Sequence, residues 1–538
     1  GVMRRWLRSA AVAGVAALAA TGLPWSTAGA QTRRPVVTAA VQVSRNPDPS
    51  RAYASPQIVR NPKTGELVIA ATETRTLKTV EVWLSNDEGR SWRPGGDPMV
   101  EPWTDSSGDP DANVNHTMAF DKDGTLFLAF QANDPKFSNL PRPDRPRHIF
   151  LARSEDSGRT WQAVKVWDAP EAPEAPRGLK RNNRPWVVVD PNAPQYVYVS
   201  WMQWHLNDEP PSGNKALIAA SSNGGRTFGQ PFSLREGDPQ GSYEARPAVD
   251  NEGVVHTVMA ARGRVPPDTP QGTPPPIRTV NYRSSSDHGR TWSEPKQIEE
   301  GNAGFSFNRK WGIRADLTSD TLYVVWYGAP NPRAVRPDAD RDIYIRVSRD
   351  SGRTWSDRIV VNDSSTMPNV QAYDPAIWVA PNGRLDIAWF DFRNSPAPEG
   401  ECPGGNCGGA HDVYYRSTSN GGRSFTPSVK ITDRIIDRTL GVWSNNAHIH
   451  APVGLVSTDD VVYFTWQDTR NGNRDTSAED VYFATYRLRG PVPAVAEEDE
   501  GVPRWLLVAT GLAVGIGVAM CIVAALARRR VAGGSAAG

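Results

Sequence analysis

Short apolar runs recur along this chain at nearly even intervals and predict its β-strands. Seven of them share one character, being five or six residues rich in aliphatic and aromatic side chains. They lie at 66–71, 125–130, 196–201, 254–258, 322–326, 385–389 and 461–466. Runs of this length between turn residues are typical of buried strands. We interpret each run as the second strand of a four-stranded unit, so the count predicts seven units.

A second pattern follows the third strand of six units and fixes the period. It reads Ser/Thr-x-Asp/Asn-x-Gly-Arg-Ser/Thr-Trp/Phe, and its copies are 63–70 residues apart. They begin at Ser85, Ser154, Ser221, Ser285, Ser348 and Thr418. The Asp or Asn can accept hydrogen bonds from nearby amides, and the Gly supplies a positive φ. A repeat of this length indicates stacked supersecondary units, with each copy forming a hairpin turn.

The repeated pattern resembles the Asp box of sialidases and related β-propellers. The resemblance implies an all-β, seven-bladed Asp-box propeller over 31–489, with six blades, the usual number in sialidases, as the alternative. The last unit has a third strand at 480–486 but no box after it, and the strand at 36–43 belongs to no unit. We predict that these two strands pair, which closes the ring and removes an exposed sheet edge.

The two ends of the chain predict export. Three arginines precede an apolar stretch at 10–23 and a small-residue cleavage site before Gln31, as in a signal peptide. Near the other end an apolar stretch is long enough to cross a bilayer and is followed by Arg528, Arg529 and Arg530. A cleaved sorting signal is the alternative to a retained anchor. The predicted segments are a signal peptide at 1–30, an acidic linker at 490–502, a transmembrane helix at 503–527 and a cytoplasmic tail at 528–538.

The net charge, the cysteines and one acidic loop limit which partners and cofactors the sequence predicts. The net charge of +1 gives no argument for nucleic acid. Cys402 and Cys407 flank a four-residue loop and are expected to form a disulfide after export, with metal binding beside His411 as the alternative. An acidic loop could hold Ca²⁺ or be a solvated turn; its carboxylates are Asp105, Asp109 and Asp111. No other cofactor is predicted.

In the family that the boxes resemble, ligands bind where the first strands start and the second strands end. The family's arginine at the start of the first strand is replaced here by Ala54. Glu73-Thr74-Arg75 matches the Asp-x-Arg context of the family's acid. The family's Glu before a Pro is matched by Arg246, with Glu244 two residues earlier. The tyrosine nucleophile is not assigned, and its candidates are Tyr243, Tyr327 and Tyr373.

The same face carries charged residues that the resemblance does not supply. Arg184, Arg246 and Arg309 lie at the first strands of units three, four and five, so their guanidiniums could converge on a carboxylate or sulfate. The Asp-x-Arg pairs at 391–393 and 468–470 are either functional or salt bridges that fix strand ends. The predicted acid–base residues are Glu73, Glu244, Asp374 and Asp391, and the predicted substrate-binding residues are Arg184, Arg246, Arg309, Arg393 and Arg470.

Two function hypotheses follow. The first is a sialidase-like glycoside hydrolase of the exo-α-sialidase type, or a degenerate relative, acting on extracellular acidic glycans. The second is a non-catalytic, membrane-anchored propeller that binds a glycan or a protein. Two carboxylates roughly 5–10 Å apart across the channel would favour hydrolysis. Carboxylates that pair within their own blades would favour binding.

Overall fold

In the computed structural model the described residues lie between Pro35 and Leu488, and those from Val36 to Leu488 form one compact unit. Within this range the structure leaves out 76–78, 100–115, 134, 138, 141–144, 171–181, 204–214, 235–241, 263–277, 302–310, 329, 331–340, 368–369, 397–408 and 442–452. The predicted signal peptide, linker, transmembrane helix and tail fall outside the described residues. No helix in the described part is long and apolar enough to span a membrane.

Seven antiparallel sheets form the fold, as the strand count predicts, and the six-bladed alternative is wrong. Blade 1 consists of Tyr53–Arg60, Leu67–Glu73, Thr79–Ser85 and Arg93–Pro94, and blade 2 of His116–Phe120, Leu126–Asn133, Arg147–Ser154 and Gln162–Trp167. Blade 3 consists of Asn182–Val189, Val197–Gln203, Lys215–Ser221 and Phe232–Ser233, and blade 4 of Ser242–Val249, Val255–Arg262, Arg278–Ser285 and Lys296–Gly301. Blade 5 consists of Trp311–Ala315, Leu322–Gly328, Asp342–Ser348 and Ile359–Val360, and blade 6 of Ala372–Val379, Leu385–Asp391, Ala410–Thr418, Val429–Lys430 and Ile436–Asp437. Blade 7 consists of Gly454–Ser457, Val461–Asp468 and Asp480–Arg487, joined by Val36–Val37 and Val41–Gln42. Two 3₁₀ turns, Pro135–Phe137 and Asp363–Thr366, lie between strands.

The blades are arranged in a ring around their first strands. The first strand of each blade contacts the first strand of the next, and that of blade 7 contacts that of blade 1. The second strands are buried between neighbouring sheets, and among their side chains Trp201, Trp326, Trp389 and Trp466 are almost fully buried. Each blade therefore completes the core of both its neighbours, which is the main apolar contribution to stability.

All six copies of the repeated pattern form the same turn between a third and a fourth strand. In the first copy, Ser85 Oγ donates to Asp87 Oδ1 (2.7 Å) and accepts the Gly89 N–H (2.9 Å). Asp87 also accepts the Ser91 N–H (3.0 Å) and the Ser91 hydroxyl (2.6 Å). The Gly has a φ of 86°, in the left-handed region that favours glycine. Short polar side chains thus satisfy the turn's backbone amides without any help from other blades.

The turn glycines also bring neighbouring blades together. A Cβ on Gly352 of blade 5 would lie 2.1 Å from Tyr282 Oη of blade 4, and a Cβ on Gly89 of blade 1 would lie 2.0 Å from Phe483 of blade 7. Trp92, at the end of the first copy, packs edge-on against the same Phe483 with ring centroids 5.1 Å apart. The repeated Gly and Trp are therefore contacts between blades as well as turn residues.

The ring closes where the sequence predicts. Val36–Val37 and Val41–Gln42 pair antiparallel with Asp480–Arg487, so the start of the chain supplies the outer strand of the last blade. The fully buried Asp480 accepts two hydrogen bonds from Arg51, Nε to Oδ1 and Nη2 to Oδ2, both at 2.7 Å. Ser44 Oγ donates to the same carboxylate at 2.9 Å. We call Ser44, Arg51 and Asp480 the closure latch.

We expect Asp480→Asn to destabilise the propeller by about 3 kcal/mol, because Arg51 would lose its bidentate partner at a largely buried site. Asp433→Asn is the matched control, since the Arg470–Asp433 pair is also 2.7 Å long but Asp433 is 42% exposed. Its loss should cost under about 1 kcal/mol. Urea unfolding of both variants measures the difference, and equal costs would show that the latch does not hold the ring.

We also expect the Asp-containing turns to make stability depend on acid pH. Hydrogen bonds from the Thr291 side chain and amide lower the pKa of Asp287 from 3.8 to about 2. A lowered folded-state pKa stabilises the protein above about pH 4, and that contribution is lost as the pH falls toward 2. Asp287→Asn should therefore be less sensitive than the wild type to acid between pH 4 and 2, when urea midpoints are compared across this range.

The third copy of the repeated pattern allows the opposite change, from Asn to Asp. Asn223 already occupies the Asp position there, and its Nδ2 donates to Thr227 Oγ1 at 2.8 Å. Asn223→Asp should therefore make stability more sensitive to acid than in the wild type, whereas Asp287→Asn should make it less sensitive. Parallel pH profiles for the wild type and both variants would contradict the assignment.

Candidate functional site

A cavity of about 80 Å³ lies at the centre of the ring and is lined by residues from all seven blades. Its walls are the first strands, so we call it the central channel. The polar and aromatic groups of its lining include Ser55, Gln57, Trp186, Arg246, Arg314 and Trp378. At roughly 10–15 Å³ per water, it has room for about six waters or one small anionic group.

Four first strands contain an irregularity near the channel, where two residues oppose one residue of the second strand. In three of them the first extra residue precedes a proline and has a positive φ: 59° at Ser55, 57° at Arg184 and 52° at Asp374. A non-glycine residue in this region is strained, and such bulges often redirect side chains at functional sites. The Arg184 N–H donates to Gln131 Oε1 of the preceding blade at 2.8 Å, which helps to hold the bulge.

The two Arg-Pro sequences are not structurally equivalent. Arg184 is the strained bulge residue of blade 3, whereas the bulge of blade 4 falls between Ser242 and Ala245. Arg246 comes after it and pairs regularly with Val258. Arg246 therefore lies further along its first strand than Arg184 does, although both residues precede a proline.

Glu244 joins these two arginines. Arg246 donates to its Oε1 from Nε at 2.9 Å and lies 2.7 Å from it through Nη2, while Arg184 Nη1 lies 3.5 Å from Oε2. Arg246 and Glu244 are 3% and 2% exposed, and the Arg246 guanidinium lies 4.0 Å from the ring centre of Trp186. Burial lowers the pKa of Arg246, and Glu244 opposes that shift. The pair is a buried ion pair at the wall of the channel.

Arg314 is the functional candidate that the sequence analysis missed. It lies on the first strand of blade 5 opposite Tyr323, lines the channel, and stacks 5.1 Å from the ring centre of Trp378. Its Nε is buried and has no hydrogen-bond partner among the described residues. Burial first, and the charge of Arg246 second, lower its pKa to about 10. The predicted Arg309 lies outside the described residues. Arg314 could have been found in the sequence from its position two residues before Asp316, which begins the turn at the end of the first strand.

The three arginines descend along the channel. Each first strand ends at a turn aspartate, namely Asp190, Asp250 and Asp316 in blades 3, 4 and 5. Counted back from these, Arg184, Arg246 and Arg314 lie six, four and two residues away. The bulge of blade 3 takes up one residue, so Arg184 lies about one step above Arg246 in strand register, and Arg246 lies two steps above Arg314. At about 3.3 Å per residue, the two backbone steps are roughly 3 Å and roughly 6–7 Å. The arginines therefore form a staircase on three consecutive blades.

Two of the other predicted carboxylates, Glu73 and Asp391, are engaged within their own surroundings. Glu73 Oε1 accepts the Ala52 N–H at 2.9 Å and fixes the entry into blade 1. Asp391 accepts hydrogen bonds from Ser364 (2.8 Å), Trp389 (2.9 Å) and Arg393 (2.8 and 3.0 Å). Asp374 is fully buried at its bulge.

The Asp-x-Arg pairs repeat one arrangement in blades 6 and 7. Asp468 accepts hydrogen bonds from Trp466 (3.0 Å) and Arg470 (2.7 Å), as Asp391 does from Trp389 and Arg393. The guanidiniums of Arg393 and Arg470 also stack on Tyr414 and Tyr482. These groups fix the ends of the second strands, and the structure gives Arg393 and Arg470 no place in the channel lining.

The remaining predictions concern the tyrosines, the cysteines and the metal. Tyr327 and Tyr373 are buried, and the Tyr243 side chain is outside the described part. Cys402, Cys407 and the acidic loop of Asp105, Asp109 and Asp111 also lie outside it. Among the described residues, no group of three or more His, Cys, Asp or Glu side chains could hold a metal ion.

No family model matches this chain, and no curated protein does so. Solved structures share its fold. A protein of unknown function from Dyadobacter fermentans is 15% identical, with 85% of this chain and 99% of that chain covered and a TM-score of 0.45. The Hadza microbial sialidase Hz136 is 15% identical (78% and 76% covered, TM-score 0.41), and a polysaccharide lyase of family PL25, an ulvan lyase, is 10% identical (82% and 94% covered, TM-score 0.45). These likenesses concern the propeller fold alone.

Proposed function

We propose that this propeller binds an acidic glycan at the mouth of its central channel. Arg184 lies nearest the mouth, and Arg246 and Arg314 line the channel below it. On the sequence of its two ends, we also propose that the propeller is exported and tethered to the cell membrane by the segment at 503–527. The partner is then a carbohydrate or glycoconjugate outside the cytoplasm.

The charge imbalance of the channel carries this proposal. Arg184 and Arg246 both lie beside the carboxylate of Glu244, and Arg314 of blade 5 adds a further guanidinium to the channel lining. Arg314 forms no ion pair within the described part, and its lowered pKa reflects an unfavourable environment for its charge. An anionic ligand would reverse this cost, because a buried cation is favourable when it is paired and hydrogen-bonded.

The shape of the site limits the ligand. The cavity of about 80 Å³ can take one carboxylate or sulfate group, while the rest of a glycan would remain at the mouth near Arg184. Trp186 and Trp378 hold the guanidiniums of Arg246 and Arg314 by stacking, so their positions are set before a ligand arrives. The staircase favours a ligand that enters end-on with more than one negative charge.

The test measures binding of the full-length chain to a galacturonate oligosaccharide, a heparin-derived oligosaccharide and a neutral malto-oligosaccharide. We expect the acidic probes to bind and the neutral one not to bind. Arg314→Gln should weaken binding by about 10- to 100-fold, because a charge-assisted hydrogen bond contributes about 1.5–3 kcal/mol.

Arg290→Gln is the matched control, since this arginine is exposed in the turn of blade 4, away from the channel. Unchanged affinity in Arg314→Gln, or equal loss in Arg290→Gln, would exclude the channel as the site. Thermal unfolding of each variant separates lost binding from lost fold.

Glycoside hydrolysis is the second candidate, and Glu244 is the observation that favours it. It is a buried carboxylate held beside two arginines on the ligand face. A hydrolase of the usual kind needs a second carboxylate across the site, and Glu73 and Asp391 are already engaged within their own surroundings. Asp374, the remaining candidate, is fully buried at the bulge of blade 6. This is why binding is the better-supported function.

A fluorogenic sialoside and a small panel of acidic fluorogenic glycosides distinguish the two functions. We expect the wild-type chain to release no fluorophore from any of them. Turnover that is lost in Glu244→Gln and kept in Glu252→Gln, whose side chain is exposed, would replace binding with hydrolysis.

A further inference from the structure

A second group of buried charged residues lies in blade 6, outside the channel lining. It consists of His411 and Arg438 with the aromatic rings of Tyr373, Phe390 and Phe392 around them. Arg438 stacks 4.9 Å from the centre of Phe392 and 5.3 Å from that of Tyr373. His411 lies 4.5 Å from Phe390 and 5.8 Å from both Phe392 and Tyr373, measured between ring centres.

Strand pairing brings His411 and Arg438 to the same side of the sheet. His411 pairs with Ile436, and the Arg438 N–H donates to the Gly409 carbonyl at 2.7 Å. Residues 409 and 411, like residues 436 and 438, point the same way because side chains alternate along a strand. His411 and Arg438 are thus diagonal neighbours, a spacing that long side chains readily bridge.

The hydrogen-bond donors of this group exceed its acceptors. Tyr373 Oη lies 2.9 Å from His411 Nδ1, and burial raises the pKa of Tyr373, so the hydroxyl keeps its proton and donates. The proton of the neutral imidazole is then on Nε2. His411 Nε2 and Arg438 Nε and Nη1 are all buried and have no hydrogen-bond partner among the described residues.

Three such donors beside the Arg438 guanidinium define a site for an acceptor. Buried polar groups in folded proteins nearly always have a partner, and an unsatisfied cluster indicates a bound water or ion. His411 is fully buried and Arg438 is 5% exposed, so bulk water does not satisfy them. Burial, and then the charge of Arg438, hold the pKa of His411 well below its usual value, which leaves Arg438 as the cation of the pair.

We propose that His411 and Arg438 bind a small inorganic monoanion, such as chloride, within blade 6. One negative charge balances the guanidinium, and a spherical anion accepts N–H donors from several directions. The aromatic rings around the group make its surroundings largely apolar, which favours a small anion with little bound water. The Ile436–Asp437 strand, which extends this blade beyond four strands, is then held partly by the ion because Arg438 directly follows it.

The test compares thermal unfolding of the full-length chain in sodium chloride and in sodium gluconate at equal ionic strength. Ligands that bind only the folded state raise its melting temperature with concentration. We expect chloride to raise the wild-type Tm by about 2–4 °C at saturation, a shift in the range of a single bound ligand. Arg438→Gln should abolish the difference between the two salts, and Arg434→Gln, whose side chain is exposed, should keep it.

Bromide provides a direct readout on the unaltered protein. Crystals of the wild-type chain soaked in bromide should show an anomalous peak between His411 Nε2 and Arg438. No peak there, or equal Tm values in the two salts, would overturn the proposal even if Arg438→Gln fails to fold. A chloride shift that persists in a folded Arg438→Gln would overturn it as well.

Discussion

Everything in this structure depends on closing a ring of seven sheets through the pairing of residues 36–42 with the last blade. Each blade has two apolar faces, and each face is covered only by a neighbour. Blade 7 obtains its outer strand from residues 36–42, which come before blade 1 in the chain. The closure latch adds a buried bidentate pair between Arg51 and Asp480. If this contact opened, both the face of blade 7 and the face of blade 1 would lose their cover.

The closed ring also sets the chemistry at its centre. Strained pre-proline residues such as Arg184 persist only where the surroundings hold them, and here the preceding blade does so through Gln131. Glu244 contacts arginines from two blades, so its position requires both blades to be fixed. The site is a property of the assembled ring, because no single blade contains the complete group.

The sequence predicted the fold well because each blade is specified by short sequence patterns that recur along the chain. Seven apolar runs, six turns with Gly in the same place and one strand without a unit were sufficient to predict seven blades and their closure. The turn of Ser85, Asp87 and Gly89 satisfies itself with hydrogen bonds within seven residues. The hydrogen bonds of such a turn therefore depend on residues close in sequence.

The site was predicted less well because bulges and pairings are not local. Arg184 and Arg246 look alike in sequence, but a bulge places them at different depths. The sequence left Asp391 open between an acid–base role and a salt bridge with Arg393; in the structure it accepts hydrogen bonds from Arg393, Trp389 and the sequence-distant Ser364. Arg314 was missed because only the folded ring shows that it lines the channel and that the charge of Arg246, on another blade, acts on it. Residue type marks a candidate, whereas register and partners decide what it can do.

The depth of the three arginines has a consequence for recognition. A clamp on one carboxylate needs guanidiniums at one level, but the backbone of Arg314 lies roughly 6–7 Å below that of Arg246, which spreads the charge along the axis. Glu244 neutralises part of the upper charge and leaves Arg314 the least compensated of the three. The field therefore becomes more favourable to an anion toward the bottom of the staircase. Under the proposed function, a ligand with charge at its tip would therefore gain more from entering than a neutral sugar.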